Sequence, residues 1–73
     1  MSDPFEPDDD EAAIRLRLSV ATRDHADLDV AIRAMMSEPM PDLMVIGRFK
    51  RKKLILKDEI ARLRDQLTPD IIA

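Results

Sequence analysis

The chain has 73 residues, 45% of them hydrophobic and 37% charged, with one glycine, two aromatic residues and a net charge of −3. A sequence this short and this rich in charge excludes a large buried core, and two phenylalanines argue against a β-sandwich or a base-stacking surface. The absence of cysteine excludes disulfides and thiolate metal sites, and it fits a reducing compartment.

The opening residues Met1-Ser2-Asp3-Pro4 are acidic and lack the positive, then apolar, pattern of a signal peptide. No apolar run approaches the roughly 18 residues of a membrane span. A cytoplasmic protein with no membrane contact is therefore expected. Residues 1–8 read as a disordered acidic tail. Asp8 with Glu11 three residues later resembles a capping box with Asp in place of Ser or Thr, so a helix is predicted to start near Asp9. Asp8-Asp9-Asp10-Glu11 can also be read as a cation site, but negative charge is already favoured at a helix start.

Helix 1 is predicted over about 9–37. Its apolar positions run Ile14, Leu18, Ala21, His25, Leu28, Ile32 and Met35, alternating steps of three and four, the spacing of a coiled-coil seam. Arg23 with Asp27, and Asp29 with Arg33, are opposite charges one turn apart. Pro39 drives Glu38 out of the helical region, so a turn is predicted at 38–40. Pro41 suits the first position of a second helix, with Asp42 in its first turn.

Helix 2 is predicted over about 41–67, with the seam Ile46, Phe49, Lys53, Leu56, Ile60, Leu63 and Leu67. Gly47 is its weak point. Thr68-Pro69 ends it, and 68–73 form a C-terminal tail in which Ile71 and Ile72 are apolar. Folding about Pro39 sets Leu18 against Ile60 and Ile32 against Ile46. It also sets the two polar seam residues, His25 and Lys53, in one layer, with Asp29 or Asp58 near enough to balance the lysine. The expected fold is all-α, an antiparallel two-helix coiled-coil hairpin over 9–67.

Apolar residues off the seam, among them Leu16, Val20, Met36, Leu43, Val45, Leu54 and Ile55, exceed what one hairpin can cover. Such surfaces mark association, so the hairpin is expected to dimerise into a four-helix bundle, with Leu16, Val20, Leu54 and Ile55 at the interface. Met35, Met36, Met40 and Met44 cluster about the turn, where methionines fill loosely packed ends or adapt to a partner.

Two motifs resemble those of the YdcH-like family of small bacterial proteins, a domain of unknown function. In helix 1 they are His25, Leu28, Asp29 and Ile32. In helix 2 they are Lys53, Leu54, Leu56, Lys57, Asp58 and Glu59. The resemblance covers roughly 14–67 and implies a coiled-coil hairpin. It implies no activity, substrate or catalytic residue.

The functional readings separate by chemistry. No cofactor is expected and no enzyme. Cysteine is absent, the single histidine has no serine beside it at helical spacing, there is no Gly-rich phosphate loop, and two helices form no deep pocket. His25 with Asp29 supplies at most two metal ligands, so a polar residue that fixes register is the simpler reading. The leading expectation is action through protein–protein contact, with itself or another protein. The alternative is a nucleic-acid-associated protein using Arg48, Lys50, Arg51, Lys52 and Lys57. The net acidity and the absence of base-reading residues weigh against it.

Overall fold

The structure is a computed structural model that describes residues 7–67, with side chains from Glu11 onward. It has two helices, α1 over Pro7–Met36 and α2 over Leu43–Leu67, packed against each other as an antiparallel hairpin. The predicted tails at 1–6 and 68–73, with Thr68-Pro69, Ile71 and Ile72, lie outside the described residues.

α1 begins two residues earlier than expected. Pro7 occupies the first helical position, where its missing N–H costs nothing and its fixed φ already suits a helix. Asp8 consequently lies inside the first turn, past the capping position. Glu11 is drawn forward as well: Arg15 Nη2 donates to its Oε2 at 2.9 Å. At the other end Ser37 N donates to the carbonyls of Arg33 and Ala34 at 3.2 and 3.3 Å, and Ser37 Oγ donates to Ala34 O at 2.8 Å. The last turn thus tightens and its orphan carbonyls are satisfied before the chain reaches Pro39.

α2 begins two residues later than expected, and the reason is Asp42. Its Oδ1 accepts from the amides of Met44 at 3.1 Å and Val45 at 3.2 Å, while its carbonyl accepts from Ile46 N at 3.0 Å. That is the geometry of an N-cap, so Leu43 takes the first helical position and Pro41 lies outside. The connection therefore spans residues 37–42, not 38–40. The mirror point nonetheless stays within a residue of Pro39, so the expected facing of the helices holds. α2 runs unbroken through Gly47.

Every predicted seam residue of both helices is buried or half-buried. The core proper is a single file: Ala21, Ile32, Ile46, Ile60 and Leu63. No large side chain among the described residues is wholly enclosed. Two helices meet along one stripe each, so their outer flanks have nothing to pack on. Leu16, Val20, Val30, Leu54 and Ile55 are each more than half exposed. Val45, grouped with the uncovered residues by sequence, is half-buried near the turn.

Candidate functional site

Two features stand out from a simple apolar seam: a polar layer within it and an apolar groove on one flank.

The polar layer is built from one residue on each seam and a carboxylate beside them. Heptad spacing places His25 and Lys53 on the seam faces, and the turn brings them to the same level, where they line one hollow together with Lys57. Lys53 does not bond His25. Its Nζ donates to Asp29 Oδ1 at 2.7 Å, a hydrogen bond that crosses the hairpin. Arg33 Nη2 donates to the other oxygen, Oδ2, at 2.9 Å. Asp29 thus accepts one cation from across the hairpin and one from its own helix. The hydrogen bond from Lys53, followed by that from Arg33, holds its carboxyl below the usual aspartate value.

Asp58, the other carboxylate expected near Lys53, faces away: its side chain is 74% exposed and meets Arg62 at 3.6 Å. Arg23 and Asp27 form no ion pair among the described residues, although their spacing permits one. His25 keeps Nε2 buried with no hydrogen-bond partner. With Asp29 already holding two cations, His25 has no carboxylate to complete a metal site. No group of three or more such ligands occurs among the described residues.

The groove lies on the opposite flank of the seam. Leu28 and Ala31 of α1 face Phe49, Ile55 and Leu56 of α2 across an open cleft of about 540 Å³. Asp24 and Asp27 edge it on α1, and Lys52 edges it on α2. It continues along the hairpin past Leu16, Val20 and Ala21. Three of the four expected interface residues, Leu16, Val20 and Ile55, are therefore on this flank. Leu54 is not: it lines the hollow with His25, Lys50, Lys53 and Lys57. The basic residues divide in the same way. Lys50 and Lys57 share the histidine flank, Lys52 edges the groove, and Arg48 and Arg51 are exposed.

The sequence pattern pairs Asp29 with Arg33 and offers Asp29 or Asp58 to Lys53; the geometry brings both cations to Asp29. The division of the apolar residues into flanks was accessible only by projecting both helices about their seams.

An antiparallel pair of helices zipped by one apolar seam, with a polar layer within it, defines a small coiled-coil hairpin. A model of the family described as protein of unknown function (DUF465) matches residues 20–64, and the chain belongs to that family, the YdcH-like small proteins. The match contains both motif segments, His25–Ile32 and Lys53–Glu59, and therefore the whole polar layer. No curated protein and no solved structure matches the chain. No helix among the described residues is long and apolar enough to cross a membrane.

Proposed function

We propose that this protein is a non-enzymatic helical hairpin, acting in the cytoplasm, that associates with itself and works through protein–protein contact. The observation that carries the reading is the imbalance between core and surface. Among the described residues five form the buried core, while Leu16, Val20 and Ile55 stand 65%, 51% and 63% exposed along one flank. Apolar surface gathered on one side is what association covers. A chain this small gains from a partner the burial it cannot supply alone. Asp24, Asp27, Lys52 and the half-buried Leu28 and Leu56 give that flank the make-up of an interface, apolar at the centre and charged at the rim.

The test is a paired substitution on the flank. Val20→Glu with Ile55→Glu places two charges on the proposed contact without touching the seam. Light scattering should show the parent chain as a dimer or larger and the variant as a monomer. A parent chain that is monomeric at high micromolar concentration overturns the reading.

A second reading has one specific observation in its favour. Lys50 and Lys57 lie on the histidine flank beside Lys53, and neither has an acidic partner among the described residues. With Lys53 they give that flank a cationic surface that would meet phosphates. Binding to duplex or single-stranded nucleic acid should then fall steeply with salt, and Lys50→Glu with Lys57→Glu should abolish it. A chain that shifts no nucleic acid at low salt removes this alternative.

A further inference from the structure

We infer that the occupant of the groove is a second copy of this chain, docked with its turn at the same end and with α1 of each copy lying over α2 of the other. The inference rests on the self-association proposed above and deepens it by fixing the face and the orientation.

The first argument is charge. α2 carries eight cations against three acids, whereas α1 carries seven acids against four arginines. Two hairpins can close face to face about a two-fold axis in two ways. With the axis across the helices, α2 lies on α2 and two helices of like net charge are brought together, although Lys50 and Lys57 stay on the other flank. With the axis along the helices, each acidic α1 lies on a basic α2. Like charges juxtaposed across an interface are costly, so the second arrangement is favoured.

The second argument is local. Asp24, Asp27 and Lys52 edge the same stretch of groove, yet none forms an ion pair among the described residues. All three are exposed. A two-fold axis along the helices keeps each residue at its own height and moves it to the opposite edge. It therefore lays Asp24 and Asp27 of each copy over Lys52 of the other, so that both rims of the interface are neutralised together. The half-buried Leu28 and Leu56 lie between them, and Leu16, Val20 and Ile55 extend the apolar surface along the hairpin.

The third argument is area. α2 has 25 residues. It is about 37 Å long at about 1.5 Å per residue, and two helices side by side are about 20 Å wide. One face thus offers about 750 Å², close to the roughly 800 Å² per partner of a standard stable interface.

The experiment is a charge swap. One variant carries Asp24→Lys and Asp27→Lys, and the other carries Lys52→Asp. In each alone, like charges face each other at both rims, and the dissociation constant should rise at least tenfold. Mixed in equal amounts they should form a heterodimer as tight as the parent, since both rims then pair. Orientation is read separately. The chain has no cysteine, so Met40→Cys gives one label per copy at the exposed turn. Spin labels there should lie within about 25 Å of each other if the turns share an end, and beyond about 35 Å if they are opposed, given the helix length.

A parent dimer whose affinity ignores both charge variants, or whose turn labels are far apart, overturns the docking arrangement while leaving self-association intact. A monomeric parent overturns both.

Discussion

Asp29 is the residue on which the polar layer turns. Its carboxyl is held below the ordinary value of about 3.9 by hydrogen bonds from Lys53 and Arg33. A carboxylate with a folded value below its unfolded one contributes stability that is fully present above the unfolded value. That contribution is lost as pH falls through the folded value. The parent chain should therefore lose stability more steeply below about pH 4 than Asp29→Asn, measured as thermal midpoint against pH. Equal slopes would show that Asp29 is not held this way. His25 acts in the opposite sense. Its Nε2 is buried without a partner, an arrangement that costs about 1–3 kcal/mol. His25→Leu completes the apolar seam and should raise the midpoint by about 4–8 °C for each kcal/mol recovered. Lys53→Leu should not, because it strips Asp29 of its cross-helix donor. Sequence placed His25 and Lys53 in one layer through heptad spacing and a mirror point. It left open whether Asp29 or Asp58 balances the lysine, because both stand close to the layer along the chain. Only the side-chain direction separates them, and Asp58 turns outward to Arg62.

At the scale of the helices, the boundaries carry the information. Asp42 caps α2 through two amides, and Asp42→Ala should cost about 1 kcal/mol. Gly47 sits in mid-helix with nothing within 4 Å of an added Cβ. Gly47→Ala should therefore gain about 0.5–1 kcal/mol. Circular-dichroism melts of the two variants should move in opposite directions, and a destabilised Gly47→Ala would mean that the glycine is kept for a close contact. Both seams were legible in full, since every position from Ile14 to Leu67 in the three-four pattern is at least half-buried. The helix starts were not. Pro7 and Asp8, and again Pro41 and Asp42, are adjacent residues that each signal a start. In α1 the proline takes the first helical position, and in α2 the aspartate takes the cap. Adjacent signals fix the region of a start, while cap geometry fixes the residue.

For the whole molecule, the spacing of apolar residues revealed a surplus over one seam but not its distribution. Leu54 and Ile55 are neighbours in sequence and share one hollow on the outer face of α2, yet a step of one residue turns the helix through about 100°, so only Ile55 reaches the groove and only Leu54 the histidine flank. Ile55 joins Leu16 and Val20 beside the acidic edge of α1, while Leu54 joins His25 and the lysines. Two faces of different chemistry on one thin hairpin leave room for two contacts. If, as proposed, a second copy fills the groove, the cationic flank stays exposed. If the groove is the contact, Leu54→Glu should leave the oligomeric state unchanged while Ile55→Glu lowers it.

The central claim is that a second copy supplies the burial one hairpin lacks, and the most direct measurement is the thermal midpoint at two protein concentrations a hundredfold apart. Folding coupled to association makes stability depend on protomer concentration. The midpoint should rise clearly with concentration for the parent chain and stay flat and lower for Val20→Glu with Ile55→Glu. A parent midpoint identical at both concentrations would contradict it, because the single file from Ala21 to Leu63 would then suffice to hold the hairpin alone.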